Sequence, residues 1–218
     1  MTALLTAEQR GDHQASYRLL SPAGRKALDP GAWARLRNQL PAITELRVDT
    51  AADDTGDEGT VVAIVDHAPG LDPFLGLTPA RERQTWKAVE QDGGWVVDPE
   101  PLIEPEFPAV ALAQDSALTW ARAVQACDES SAKAQEGVAS LFGPIEAAVG
   151  LCGSRATVAV GAPEPLLGGP DSQALVAQYG PEALIWARTV SVMGANRPFG
   201  LVLAPIGSVW KVVAVLAR

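Results

Sequence analysis

The sequence predicts an α+β fold laid down twice along one chain, and three observations predict it. Helical periodicity in residues 2–40 gives way to period-two alternation in residues 44–97. The same succession, helices and then strands, returns after residue 109. A proline-dense stretch separates the two passages. Helices followed by a run of strands is the α+β pattern, as opposed to the alternation that builds parallel sheets.

Residues 2–20 carry apolar positions at Leu4, Leu5, Ala15, Leu19 and Leu20, interrupted at Gly11-Asp12, where Asp12 can cap a second helical piece beginning near His13. Ser21-Pro22 stops that piece and starts another, which runs to Leu28. Asp29-Pro30 opens a fourth, with Trp33, Leu36 and Leu40 at helical spacing, and Pro41 ends it. Thr44 to Asp49 then alternates apolar with charged residues, as on a half-buried strand. Asp53 to Asp57 reads as a turn, and the β-branched run Thr60 to Val65 as a more deeply buried strand. Asp66 to Pro79, with three prolines and two glycines, reads as a loop. Arg81 to Glu90 is a strand with Trp86 and Ala88 on one face, and Asp92-Gly93 turns it into a last strand, Trp95 to Asp98.

Four prolines between Asp98 and Pro108 predict a stiff connector, because proline removes a backbone donor from sheet or helix. The domain expectation is therefore a first module over 1–98, a linker over 99–108 and a second module over 109–218. In the second module a long helix spans 109–127, with Val110, Ala113, Ala117, Ala121 and Val124 on one stripe. A second helix covers 130–142, and a short helical turn follows at 145–149. The expected strands are 157–160, 183–192, 199–203 and 209–215.

With 17 basic and 26 acidic side chains the chain carries a formal charge of −9, which opposes binding to phosphate backbones, so nucleic acid is not an expected partner. No apolar run reaches the ~18 residues that span a bilayer. Thr2-Ala3-Leu4-Leu5 is already helical sequence, and this abrupt start predicts an upstream export signal or membrane anchor. Thirteen Arg against four Lys, with abundant Ala, Gly and Val, resembles the usage of GC-rich bacterial genomes, actinobacteria among them. Cys127 ends the long helix and Cys152 lies just before the first strand of module two. A helical hairpin would bring them together, so they are read as a disulfide, with two buried thiols as the alternative. A disulfide in turn predicts an extracytoplasmic compartment.

Gly11-Asp12 followed by Tyr17-x-Leu19-Leu20-Ser21-Pro22, and then Gly93-Gly94-Trp95-Val96-Val97-Asp98, resembles the NTF2-like superfamily, also called cystatin-like or SnoaL-like. The resemblance covers nearly all of 2–98 and, more loosely, 109–216. It implies a curved antiparallel sheet wrapped around a helix to leave a cone-shaped cavity, in proteins that range from isomerases, cyclases and dehydratases to non-catalytic envelope proteins. Such modules often pair through their sheets, so an internal pseudo-dimer or a homodimer is implied.

No residue is assigned a catalytic role. Asp66-His67 is the best acid–base pair on offer, but neighbours on a strand point to opposite faces. Tyr17, Trp33, Trp86 and His67 are the candidate ligand pocket of module one, with Trp95 as a further aromatic. Trp120, Tyr179, Trp186 and Trp210 are the aromatic set of module two. Neither a metal site nor a cofactor site is expected: the cysteines stand far from either histidine, and no glycine pair follows a strand-to-helix junction. The expectation is a non-catalytic binding or scaffolding protein of the cell envelope, with a partner protein or a small apolar ligand. The alternative is an isomerase-, cyclase- or dehydratase-type enzyme, or an apolar-ligand carrier, using the cone of module one.

Overall fold

The computed structural model describes residues 1–52, 58–73, 76–145, 148, 150–194 and 197–217. In chain order the first elements are α1 (Thr2–Gln9), α2 (His13–Arg18), α3 (Pro22–Ala27), α4 (Pro30–Arg37), β1 (Ile43–Ala52), β2 (Glu58–His67), β3 (Gly70–Asp72), β4 (Gly76–Thr78), β5 (Arg81–Gln91), β6 (Gly94–Val97) and β7 (Leu102–Glu106). They are followed by α5 (Leu112–Gln125), α6 (Glu129–Ala134), β8 (Ala159–Val160), β9 (Glu164–Pro165), α7 (Pro170–Tyr179), α8 (Ala183–Trp186), β10 (Arg188–Met193), β11 (Phe199–Ile206) and β12 (Val209–Ala217). The chain forms two compact units. The first holds Met1–Ala68 and Ala80–Glu106, the second Pro69–Pro79 and Phe107–Arg218.

The helix starts of unit one follow from local chemistry. The side chains of Asp12, Ser21 and Asp29 accept from the backbone N–H of Ala15, Gly24 and Ala32, and Pro22 and Pro30 occupy first-turn positions where no N–H is needed. The sheet is antiparallel, in the order β1-β2-β5, with β6 and β7 on the far edge of β5. Asp92 and Gly93 both have positive φ (54° and 77°), as a two-residue hairpin requires. Ala63, Val65, Trp86, Ala88 and Val97 face one way and pack with Leu4, Leu5, Leu20 and Trp33 into a single core. Leu36 and Leu40, expected beside Trp33, are instead exposed.

The proline-rich connector is not a free linker. Leu102 to Glu106 pairs antiparallel with Thr85 to Arg81, while Asp98 N–H donates to the Lys87 carbonyl. Pro99 and Pro101 fall between β6 and β7, and Pro105 sits opposite Glu82 on an edge strand, where a missing donor is tolerated. The second departure is the stretch 66–79, expected as loop. Asp66 and His67 complete β2, and β3 and β4 form a small hairpin whose Leu71 and Leu77 pack in unit two. The expected turn at 53–57 lies outside the described residues, as does most of the helical turn expected at 145–149.

The sheet of unit two runs β12-β11-β10-β8, with β9 also pairing β10. It is buried on both faces. Leu201, Leu203, Trp210, Val212 and Val215 pack with Ala113, Ala117, Trp120 and Ala121 of α5, while Val202, Ala204, Val213 and Ala214 pack with Leu175, Tyr179 and Trp186 of α7 and α8. A register shift opposite Val202/Leu203 inserts Val213 as an extra residue in β12 and re-aims the side chains on either side of it. Residues 183–186, expected as strand, are a helical turn that leaves Leu184 and Ile185 exposed at 44% and 66%. The helix expected over 130–142 ends at Ala134, and the chain then runs along β12 through parallel bridges from Glu136 to Val212 and from Phe142 to Ala214. Gly143 follows at φ +96°, where a Cβ would collide with the Val215 carbonyl oxygen. Gly143→Ala is expected to destabilise unit two by about 2–3 kcal/mol, read as a lower urea midpoint.

Candidate functional site

A concavity of unit two arises from the way α5 stops. Cys127 adopts φ 56° just past the helix. Its N–H donates to the Val124 carbonyl and the Asp128 N–H to the Ala123 carbonyl, the two bonds of a Schellman stop, with a cysteine where glycine is usual. Asp128 also accepts from the Ser131 backbone N–H at 3.0 Å and from its hydroxyl at 2.6 Å, capping α6. These bonds, the hydroxyl's first, hold the Asp128 carboxyl below its ordinary pKa. The expected Cys127–Cys152 disulfide is present, with Cα atoms 4.9 Å apart. Gln125 Nε2 adds bonds to the Ser154 and Ala156 carbonyls at 2.9 and 2.7 Å, so the end of α5 is fastened to the 152–156 turn.

Between α5, α6 and the stretch after α6 lies a cavity of about 510 Å³. Its walls are largely apolar (Trp120, Val124, Ala132, Leu141, Ala148) together with the disulfide. The ionisable groups in the lining are already engaged. Asp128 caps α6, Glu129 pairs with Lys133 at 2.6 Å, and Glu136 accepts from Trp120 Nε1 at 3.1 Å. Trp120 also meets Phe199 edge-on, ring centroids 6.5 Å apart. Trp210 lies in the same core with its Nε1 donating to the Ala109 carbonyl at 3.1 Å, whereas Tyr179 and Trp186 pack on the opposite sheet face.

The four pocket candidates of module one sit elsewhere. Trp33 and Trp86 are buried in the core and Tyr17 packs against it, so they fill the space between the helices and the sheet. Trp33 Nε1 donates to Ser16 Oγ at 2.8 Å, and the Tyr17 hydroxyl lies 2.9 Å from the Leu28 carbonyl. Trp95 is 43% exposed. Asp66 and His67 point to opposite faces. Asp66 binds Arg81 through two bonds of 2.6 and 2.9 Å on the outer face, and these hold its carboxyl below the ordinary range.

His67 is buried on the inner face, Nδ1 3.1 Å from the Ala42 carbonyl and Nε2 3.4 Å from Glu82 Oε2. Both neighbours are acceptors, an arrangement that favours the protonated ring, in which both nitrogens donate. Burial opposes that charge, but the Glu82 and Ala42 contacts outweigh it and raise the His67 pKa. Burial likewise opposes ionised Glu82, and the bond from His67 outweighs it and lowers the Glu82 pKa. Gln84 Nε2 also donates to Glu82 at 3.3 Å, and Trp86 Nε1 to Gln84 at 3.2 Å. Period-two phasing with Trp86 is the signal that would have placed Glu82 and Gln84 on this inner face.

The pair carries a pH signature. A raised imidazole contributes stability that is complete below its unfolded pKa and is lost as pH rises through the folded value. A lowered carboxyl contributes stability that is complete above its unfolded pKa and is lost as pH falls through the folded value. The stability difference between the native protein and Glu82→Gln is therefore expected to peak at about pH 4.5–6.5 and to shrink on either side. Urea midpoints measured across pH would show a flat difference if the pair were neutral.

No family model matches the chain, and no curated protein matches it. Solved structures similar to it include the following three. One is a SEC-C motif-containing protein from Rhodopseudomonas palustris, at 22% identity over 47% of this chain and 72% of that one, with a TM-score of 0.34. Another is a ketosteroid isomerase-like protein from Erwinia carotovora atroseptica, at 17% identity over 44% of this chain and 83% of that one, with a TM-score of 0.32. The third is an Ntf2-like protein involved in plasmid conjugation, at 11% identity over 97% of this chain and 93% of that one, with a TM-score of 0.27. The α+β class rests on the helices and antiparallel sheets of the chain itself.

Proposed function

We propose that the protein is a non-catalytic binding protein of an extracytoplasmic compartment, built from two NTF2-like modules, and that it holds a small apolar molecule in the cavity of unit two. The observation that carries this reading is a cavity of about 510 Å³ with apolar walls whose ionisable neighbours are all engaged in structural bonds. That volume suits a ligand of drug size, for which pockets of roughly 300–1,000 Å³ are usual. Acid–base chemistry needs a group free to move a proton, and both histidines belong to unit one. The disulfide supports an oxidising compartment. Among the described residues no helix is long and apolar enough to cross a membrane.

The carrier alternative thereby moves from the first unit, whose interior is packed by Trp33 and Trp86, to the second. Titration with N-phenyl-1-naphthylamine tests it. Saturable fluorescence enhancement is expected, and Ala132→Phe, which fills the cavity from α6, should weaken binding at least tenfold with little change in thermal stability. Equal binding by the two proteins would remove the cavity from the account. Peptide mapping of protein from its native host, with Cys127 and Cys152 found unlinked, would remove the compartment.

A further inference from the structure

Glu136 puts an unbalanced negative charge on the wall of the cavity in unit two. Its backbone is fixed from both sides. Once the chain has left α6, Val212 N–H donates to the Gln135 carbonyl and Gly137 N–H to the Val212 carbonyl, both at 2.9 Å. Gly137 admits this close approach, since a Cβ there would stand 2.5 Å from Ile206 Cδ1 and 2.9 Å from Lys211 Cβ. The Glu136 side chain is half-buried. Its Oε1 accepts from Trp120 Nε1 at 3.1 Å, which orients the carboxylate and leaves its charge in place. Its Oε2 has no hydrogen bond or ion pair among the described residues and keeps accessible surface.

The other charges of the lining are spent elsewhere. Glu129 and Lys133 pair with each other at 2.6 Å, both exposed, and cancel. Lys133 feels the Glu136 charge only as the least of the influences that act on it. Lys211, on β12 beside this stretch, has its Nζ on the Ala134 carbonyl. Asp128 is exposed and gives one oxygen to the Ser131 N–H and the other to its hydroxyl. Three acids thus face one base across the lining, so an anionic ligand is repelled and a cationic one attracted. Glu136 adds direction to that attraction. A carboxylate set among apolar walls is partly stripped of water, and there a charge-assisted bond is stronger than at an open surface.

Resting on the apolar-ligand reading of this cavity, we propose that its ligand is a cationic amphiphile, with an apolar body against Val124, Ala132 and Leu141 and a primary ammonium that donates to Glu136 Oε2. Calorimetric titration of the full chain at neutral pH with 4-phenylbutylamine, 4-phenylbutan-1-ol and 4-phenylbutyrate compares three charges on one apolar body. The amine is expected to bind about tenfold tighter than the alcohol, the gain from one charge-assisted hydrogen bond, and the butyrate weakest. Glu136→Gln keeps an oxygen for Trp120 Nε1 and removes the charge. It should lower the amine to the affinity of the alcohol and leave the alcohol unchanged. Ala132→Phe should weaken the amine and the alcohol alike, which separates the cavity from general attraction to an acidic surface. Amine binding no tighter than that of the alcohol overturns the proposal. So does an amine preference that survives in folded Glu136→Gln, or amine binding undiminished in Ala132→Phe. If N-phenyl-1-naphthylamine still saturates in any of these cases, the apolar-ligand reading stands and only the cationic class falls. Absence of binding by the amine, the alcohol and N-phenyl-1-naphthylamine removes both. Should Glu136→Gln fail to fold, the amine-to-alcohol ratio in the native protein and the result with Ala132→Phe decide.

Discussion

Trp86→Ala is expected to cost unit one about 3–5 kcal/mol, the usual range for emptying a buried indole site. The side chain is fully buried at the middle of the central strand, among Ala63, Val65, Ala88, Leu4 and Leu5. Small neighbours such as Ala63 and Ala88 cannot swing into the void, so little of the lost contact is recovered. The change also removes the Nε1 bond to Gln84, whose other end holds Glu82. Losing that end leaves a buried amide oxygen without its donor, which places the result in the upper half of the range. Hydrogen exchange reads the effect by element. Protection of β2 and β5 amides should fall by two or more orders of magnitude, while β11 and β12 keep theirs because they belong to the other core. Equal loss in β11 and β12 would mean that the two cores unfold together.

The burial of Trp86 was legible in the sequence, and the reason is local. Period-two alternation along Arg81 to Glu90 put it in phase with Ala88, and both are buried. The caps at Asp12, Ser21 and Asp29 and the Asp92-Gly93 turn were legible for the same reason, since each depends on side chains within three or four residues. What was not legible depends on distant partners. Leu102 to Glu106 reads as connector because proline dominates it, and only the open edge of β5 makes it a strand. Ala183 to Trp186 reads as strand by composition, yet its backbone closes a helical turn, with Trp186 N–H donating to the Glu182 carbonyl. Leu71 and Leu77 look like loop residues until a second core receives them.

The sites divide in the same way. The cysteine pair could be argued from chain order alone. The cavity it borders could not, because its volume depends on the chain leaving the helix after Ala134 and bridging to β12. Glu136 was missed because residues 130–142 read as one helix, and nothing in the spacing shows that Val212 pins the chain there and sets the carboxylate against Trp120.

Losing the Cys127–Cys152 bond should cost unit two about 3.5 kcal/mol, the loop-closure value for a separation of 25 residues. The two cysteines should not be equivalent in mutation. Cys152→Ser removes the bond and leaves a side chain at position 127 in left-handed backbone at φ 56°. Cys127→Gly removes the same bond but puts at the helix stop the residue for which that backbone is free of strain, recovering about 1 kcal/mol. The expected order of urea midpoints is therefore native, then Cys127→Gly, then Cys152→Ser, with reduced native protein close to the last. Equal losses in the two variants would mean that the αL position carries no strain once the bond is gone. Because the disulfide is also part of the cavity wall, reduction should weaken N-phenyl-1-naphthylamine binding at temperatures where the fold persists. The stability order and the binding loss have separate causes, backbone strain at Cys127 and wall rigidity at Cys152, so each can fail while the other stands.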